Sequence, residues 1–323
     1  MAGQTAQPTP DLSIIIVTYN SQHDIVKCLR SLQQFFLSVQ CEIIVFDNAS
    51  TDDTVTLVAQ QFPEVRLFRH PANVGFGRAN NLAVTNARGR HLLFLNPDTW
   101  VDNDLAAALV SYLDAHPGAG GCAPRVLNPD GTLQRGSVRA FPTLATLLYE
   151  QLGWSRLFPR SSRFGSYLMT WWDHNEQREV DQPMGACLAV RREAFEAVSG
   201  FDEDYFMYFE DVELCRALYN AGWKIVFLPE ARVFHVGGQS TNQVVMTNFP
   251  EFYRSMYRYF RRHHGFLKTV IAKLLVTVGE LGKFVALIFL LITEKFQERP
   301  VYWRNRREQL LSHGRVLLQH WFY

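Results

Sequence analysis

Asp211 heads a short segment, Glu210-Asp211-Val212-Glu213-Leu214-Cys215-Arg216, whose spacing bears on chemistry. With residues 211–220 helical, Asp211, Leu214, Cys215 and Leu218 fall at i, i+3, i+4 and i+7 and share one stripe. Asp211 then faces inward, while Glu210 and Glu213 project elsewhere, toward solvent and the positive end of the helix. A carboxylate on the inward face loses water and becomes a better acceptor for the proton of an alcohol. Asp98, just past an apolar run, is a hard oxygen donor of the kind a divalent cation needs when it bridges a diphosphate. His235, in Val233-Phe234-His235-Val236-Gly237-Gly238, is a second candidate ligand for Mn²⁺ or Mg²⁺, with glycines beside it that leave room. Taken alone, a histidine after an apolar run is more often a packed, hydrogen-bonded residue.

These residues need a frame. Three apolar runs in the first hundred residues stop at polar clusters: LSIIIVTYN (Leu12 to Asn20), EIIVFDNAS (Glu42 to Ser50) and HLLFLNPDT (His91 to Thr99). In an open parallel sheet the carboxyl ends of neighbouring strands meet at one crevice, so Thr18-Tyr19-Asn20, Asp47-Asn48 and Asn96-Pro97-Asp98 converge on a nucleotide-sized site. Helix capping by Asn20, Ser21 and Asn48 accounts for one such cluster as well, but not for three that carry two carboxylates. Strands near Ile14, Ile44, Leu67 and Leu93 alternate with helical stretches at Asp24 to Phe36 and Asp52 to Gln61, which argues for βαβ units. Asn73 to Asn81, NVGFGRANN, opens the helix after the third strand, where backbone amides and Arg78 can grip a phosphate. It fits neither the GxGxxG dinucleotide fingerprint nor GxxxxGK[ST], which lowers the case for a dehydrogenase or a P-loop NTPase.

Further along, Asn128-Pro129-Asp130-Gly131 reads as a hairpin tip. Residues 143–152 form a helical patch, and Trp171-Trp172-Asp173-His174 an aromatic, polar loop that serves either substrate selection or a surface insertion. Met184 to Glu203 reads as strand, helix and a glycine stop at Gly200. A helix begins near Glu210, and Lys224 to Val236 is a strand region.

Length and a composition of 47% hydrophobic and 20% charged residues fit a folded globular chain. The formal charge of +1 hides an asymmetry. Arg254 to Arg315 holds 13 Lys/Arg against 4 Asp/Glu, a net +9, so the rest carries −8. A basic tail on an acidic body points the tail toward a polyanionic surface such as membrane phosphates. Cys28, Cys41, Cys122, Cys187 and Cys215 show no CxxC or other metal spacing and read as reduced thiols of a cytoplasmic protein. Residues 1–11 lack a basic n-region and an apolar h-region and read as a disordered lead.

Taken in order, IIIVTYN, IIVFDNASTDDT, NVGFGRANN, FLNPDT, GACLAVRREAF and GFDEDYFMYFEDVELCRALYNAGWKIVFLPEARVFHVGGQST resemble the family-2 inverting glycosyltransferases of GT-A fold, in particular the bacterial rhamnosyltransferase-like branch. The resemblance covers about Leu12 to Thr241. It implies an α/β fold, a GT-A (Rossmann-like), mostly parallel sheet flanked by helices, over residues 12–245, with a helical extension over 246–323. It also implies that Thr18, Tyr19, Asn20, Asp47 and Asn48 hold the nucleoside of a dTDP- or UDP-linked sugar, Asp47 accepting a hydrogen bond from the base, with Asn73, Arg78 and Asn96 close to the donor. Asp98 matches the last acid of the family's DxD motif, His235 its later metal-binding histidine, and Asp211 the catalytic base. Asn96 departs from the motif, which often has Asp there, and one charge fewer weakens a metal site. The implied reaction is a single in-line displacement with inversion.

In the tail, Tyr253, Met256, Tyr257 and Phe260 make an aromatic stripe at helical spacing beside Arg254, Arg258, Arg261 and Arg262. Such a helix lies in a membrane interface or packs its rings on the catalytic body. The longest uncharged run of the stretch that follows, Phe284 to Thr293, is ten residues, against roughly 20 needed to span a bilayer. The expectation is therefore peripheral attachment at the inner face of the cytoplasmic membrane, where a glycan or lipid-linked acceptor lies, and no nucleic-acid partner. A homodimer through the same helices competes with membrane attachment. A catalytically silent nucleotide-sugar-binding scaffold competes with the enzyme.

Overall fold

The computed structural model describes residues 9–35, 38–237, 245–293 and 300–322, with 245–250, 290–293 and 300–309 described as helical backbone only. Most of the expected lead and residues 238–244 of the expected domain boundary lie outside the described residues. Along the chain come β1 (Leu12–Thr18), α1 (Ile25–Phe35), β2 (Cys41–Asn48), α2 (Thr54–Gln61), β3 (Arg66–His70), α3 (Phe76–Val84) and β4 (His91–Leu95), the alternation that the apolar runs predict. They are followed by β5 (Thr99–Trp100), α4 (Leu105–Ala115), β6 (Ala119–Leu127), β7 (Val138–Arg139), α5 (Leu144–Gln151) and α6 (Trp154–Leu157). The remainder is β8 (Arg178–Glu179), β9 (Gln182–Pro183), β10 (Cys187–Arg191), α7 (Arg192–Ala197), α8 (Glu210–Asn220), β11 (Lys224–His235), α9 (Val245–Thr293) and α10 (Pro300–Gln319). Two compact units result: Met1–Phe141 with Asp173–Phe206 and Glu210–Ser240, and Pro142–Trp172 with Met207–Phe209 and Thr241–Tyr323.

The first unit is built on one sheet in the order β3-β2-β1-β4-β10-β6-β11-β5, with β8 also paired to β11. β3, β2, β1 and β4 run parallel, so their carboxyl ends share one edge. β10 is antiparallel to both β4 and β6, and β11 runs parallel to β6, so this half of the sheet is mixed. Every residue of β1 is buried, as a central strand covered on both faces requires. Leu12, Ile14 and Ile16 share a core with Ile25, Leu29 and Leu32 of α1 and Leu105, Leu109 and Leu113 of α4. On β4, Phe94 packs edge-on to Phe201 at 4.9 Å between ring centroids and beside Phe195 of α7 at 5.3 Å. The Asn128 turn closes as expected, with Gly131 N–H donating to Asn128 O at 2.9 Å.

The second unit is helical. α9 is broken at Gly265, whose φ of 82° is open to glycine and strained for other residues. Tyr253, Met256, Tyr257 and Phe260, the aromatic stripe of the tail, are all buried within this unit, so that stripe is core and faces no membrane. Tyr253 donates its hydroxyl to Glu280 at 3.0 Å, and Lys283 and His313 bind the same carboxylate at 2.6 and 2.5 Å. Burial pushes Glu280 up, but the His313 hydrogen bond and the Lys283 charge outweigh it and hold the acid at about 2. Glu280 and Lys273, two of the charges that interrupt the apolar pattern, thus turn inward, Lys273 over the Tyr257 ring. Beyond Gly265, what α9 leaves outside is mainly apolar: Leu267, Leu274, Val278, Leu281 and Val285 are each at least half exposed. Among the described residues no helix is long and apolar enough to cross a membrane.

Candidate active site

At the end of β1, Thr18 stands level with Asp47 of β2. Thr18 Oγ1 donates to Asp47 Oδ1 at 3.1 Å, and Ser50 N–H donates to Oδ2 at 3.1 Å. Both side chains are fully buried, yet each carboxylate oxygen retains a lone pair for a further donor. The next residues leave the sheet abruptly. Asn20 is left-handed, with φ 51°, a conformation asparagine tolerates. It is tied down by its N–H to Ser50 Oγ at 2.9 Å and by Thr51 N–H to its Oδ1 at 2.8 Å. Tyr19, on the shoulder of that turn, is 40% exposed.

Asn48 and Asn73, expected beside the nucleotide, bind each other. Asn48 Nδ2 donates to Asn73 Oδ1 at 2.9 Å and to Gly75 O at 3.2 Å, and Val74 N–H donates to Asn48 Oδ1 at 2.9 Å. Gly75 N–H donates to Asn73 Oδ1 at 3.0 Å, and Phe76 N–H to Phe206 O at 2.9 Å. The amides of Val74, Gly75 and Phe76 are therefore occupied by protein acceptors, which corrects the expectation that they grip phosphate. The approach that occupies Phe76 requires glycine before it, since a Cβ on Gly75 sits 2.4 Å from Phe206 O. Arg78 lies 3.4 Å from Glu203 in an exposed ion pair.

Antiparallel pairing of β11 with β5 sets His235 level with Thr99 and so beside Asp98. His235 Nε2 is 3.2 Å from Asp98 Oδ1, both side chains being about nine-tenths buried. Gln134 Nε2 donates to His235 O at 3.2 Å and to Asn128 Oδ1 at 3.2 Å, which turns Gln134 Oε1 to His235 Nδ1 at 2.7 Å. An acceptor at Nδ1 demands a proton there, so in the neutral ring the Nε2 lone pair faces the Asp98 carboxylate. A neutral ring and the carboxylate thus offer one nitrogen and one oxygen 3.2 Å apart, a pair that could serve a cation beside them but not one between them. Among the described residues no third His, Cys, Asp or Glu joins them as a ligand. Asn96 N–H donates to Ala186 O at 2.9 Å, fixing the start of the segment that carries Asp98.

Asp211 sits at the opening of α8, half-buried. Its Oδ2 accepts from Gly185 N–H at 3.1 Å and from Gln182 Nε2 at 3.4 Å, and its Oδ1 from Val212 N–H at 2.8 Å. Gly185 adjoins Ala186, so one short stretch of backbone holds both Asp211 and the Asn96 segment. A Cβ at Gly185 meets Asp211 Cβ at 2.9 Å, so the contact depends on glycine. Glu210 and Glu213 do not point to solvent: they are 7% and 4% exposed, which corrects their expected placement. Tyr205 donates its hydroxyl to Glu213 at 3.2 Å, while Glu210 Oε2 has no hydrogen-bond partner among the described residues. Burial, then the charge of Asp211, pushes the Glu210 carboxyl well up.

Sequence reasoning missed Gln134, Gln182, Gly185 and Asp24. Asp24, at the start of α1, has its carboxyl pushed up by burial and next by the charge of Asp98, so it lies in the field of that acid. It had been read only as a helix start. Gly185, in a segment ending a loop before a strand, carried a usable signal, because glycine there marks a close approach.

The sheet and its strand-end crevice have the GT-A fold, and comparisons with known proteins make the chain a glycosyltransferase. Residues 13–199 match the family model Glycosyl transferase family 2, and the chain belongs to that family. It is 32% identical over 269 residues to the N-acetylglucosaminyl-diphospho-decaprenol L-rhamnosyltransferase of Mycobacterium tuberculosis, covering 80% of this chain and 86% of the relative. To the rhamnosyltransferase WbbL of Escherichia coli K12 it is 27% identical, covering 77% and 92%. Among solved structures, the mannosyltransferase PcManGT of Pyrobaculum calidifontis, in complex with GDP-Man and Mn²⁺, superposes with a TM-score of 0.57 at 17% identity, over 97% of this chain and 88% of that one.

Proposed function

We propose that this glycosyltransferase moves L-rhamnose from dTDP-L-rhamnose to a hydroxyl of a glycan acceptor carried on a lipid diphosphate, with inversion at the anomeric carbon. The observation that carries the reading is the Gly185-Ala186 backbone, which binds Asp211 on one residue and the Asp98-bearing segment on the next. The names of the mycobacterial and Escherichia coli relatives support the sugar, and the mycobacterial one the diphosphate-linked lipid.

In this reading Asp47, Thr18, Tyr19 and Asn20 hold the nucleoside, the spare lone pair of Asp47 taking a base N–H. Tyr19 offers an exposed ring for the base to lie on. Asn48 and Asn73 act one step back, by shaping the turn. Asp211 accepts the proton of the acceptor hydroxyl as that oxygen attacks, and the Gly185 and Gln182 donors keep its carboxylate aimed. Asp98 and His235 are the holders of Mn²⁺ or Mg²⁺, with Gln134 fixing the imidazole. Such an ion supplies charge stabilisation to the departing nucleoside diphosphate. The apolar outer face of α9, with exposed Arg258, Arg261 and Lys268 near its first half, suits the inner surface of the cytoplasmic membrane. A homodimer through that face is the rival use of it.

The test is turnover of a panel of dTDP-, UDP- and GDP-sugars by the purified chain with lipid extract and Mn²⁺ or Mg²⁺. Consumption of dTDP-L-rhamnose with a new glycolipid is the expected result. Tight nucleotide binding with no donor consumed makes the chain a silent scaffold, the reading that Asn96 favours.

A further inference from the structure

The helical unit encloses a cavity of about 690 Å³, within the size range of small-molecule sites, lined by none of the residues described above as candidate site. Leu147 of α5 and Met256, Phe260 and Ala286 of α9 give it an apolar wall. Its polar lining is mixed, and it includes the exposed Arg156. Lys283 is engaged by Gln151 at 3.0 Å and Glu280 at 2.6 Å, and Glu150 presents a carboxylate oxygen with no partner among the described residues. An uncharged chain fits this wall.

The way in is through the apolar face. Val278 lines the cavity and is 62% exposed, and its neighbours on the outer face of α9, Leu274, Leu281 and Val285, are 50%, 52% and 56% exposed. With this face against a membrane, as proposed above, hydrocarbon reaches the opening without crossing water. Two glycines of α9 line the space, and they differ. At Gly279 a Cβ sits 2.2 Å from Gln151 Oε1, whereas at Gly282 it meets nothing within 4 Å. Gly282 therefore answers no packing need, although glycine inside a helix is less favourable than alanine. Along the chain, Phe209 in the wall precedes Asp211 by two residues.

We infer that this cavity takes the polyprenyl chain of the lipid-diphosphate acceptor. The inference rests on the lipid-linked acceptor proposed above. The test uses the full chain in nonionic detergent, a prenyl diphosphate carrying a benzophenone on its tail, and peptide mapping after irradiation. Label is expected in the segments that line the cavity, around residues 146–156, 252–260 and 278–286. In Gly282→Trp, which fills the space, labelling should fall by at least about tenfold, with Gly282→Ala unchanged. Excess unlabelled prenyl diphosphate should compete, and phosphatidylglycerol vesicles should not.

Label outside those segments, or undiminished label in a folded Gly282→Trp, overturns the inference. Competition by phosphatidylglycerol alone assigns the cavity to bulk phospholipid and overturns it too. If Gly282→Trp does not fold, Ala286→Phe and the map on the unaltered chain decide the matter. Labelling needs no sugar transfer, so a chain that binds the prenyl probe but consumes no donor refutes the proposed reaction and leaves this site standing.

Discussion

Asp211→Asn keeps the size of the side chain and removes its ability to take a proton. Three donors converge on the native carboxylate, from Gly185 at 3.1 Å, Gln182 at 3.4 Å and Val212 at 2.8 Å. An amide has one acceptor oxygen, so whichever way Asn is turned its NH₂ faces an N–H. The structural cost is about one lost hydrogen bond, roughly 1 kcal/mol, at the low end because water reaches this half-buried position. For a chain of this size, at about 2.1 cal/mol/K per residue, that corresponds to a fall of about 1–2 °C in Tm. The chemical cost is larger. A positioned general base contributes about 10²- to 10⁴-fold, or roughly 3–5 kcal/mol at 1.36 kcal/mol per decade. The expected outcome is a kcat lower by at least about 100-fold with donor KM within about threefold, read by release of nucleoside diphosphate beside a melting curve. A folded variant whose kcat stays within about tenfold of the native chain refutes Asp211 as the base. Loss of nucleotide affinity instead would make it a binding residue.

Three further outcomes follow from the same geometry. Gln134→Leu, which leaves His235 Nδ1 without its acceptor, should raise the Mn²⁺ concentration for half-maximal binding by about 10–100-fold in an electron-spin-resonance titration, and an unchanged titration excludes His235 as a ligand. Glu42 is buried and accepts from Ser13 at 2.7 Å, from Arg66 at 2.7 Å and from Arg88 N–H and Nε. Burial pushes its carboxyl up, but those hydrogen bonds prevail and hold it below the usual carboxylate range. A depressed acid stabilises the fold above its unfolded pKa and loses that contribution as pH falls through the folded value. Glu42→Gln should therefore cost about 2 kcal/mol in urea unfolding at pH 7, a figure discounted for the half-exposed Arg66 and Arg88, and the gap to the native chain should close below about pH 4. A gap independent of pH contradicts this. Gly75→Ala should destabilise by at least about 1–3 kcal/mol, because φ is +87° and the new Cβ meets Phe206 O, and a neutral substitution disproves that close approach.

The parallel half of the sheet was legible because each of its strands is an apolar run ended by a polar cluster, and burial on both faces writes such runs plainly. The pairing of Asp98 with His235 was legible for the same reason: each follows a strand, and strand ends meet. The mixed half was not, since β10 is inserted between β4 and β6 from more than sixty residues away, and local periodicity says nothing about which strands pair. Glu210 and Glu213 were misplaced because a helical stripe locates one face only, and α8 is covered on more than that face. The aromatic stripe at Tyr253 to Phe260 identified a buried helix face but not what buries it. The outer face of α9 was hidden by Lys273, Glu280 and Lys283, which break the run in sequence and satisfy one another or neighbouring groups inside the unit. Gln134 was invisible because its partner is 101 residues on.

The central claim is a single displacement at the anomeric carbon by a hydroxyl that Asp211 deprotonates. It is tested most directly by proton NMR of the first product formed from dTDP-β-L-rhamnose, before any exchange. Inversion gives an α-linked rhamnosyl product. A β-linked product, retaining the donor's configuration, contradicts a single displacement and requires a covalent or internal-return route.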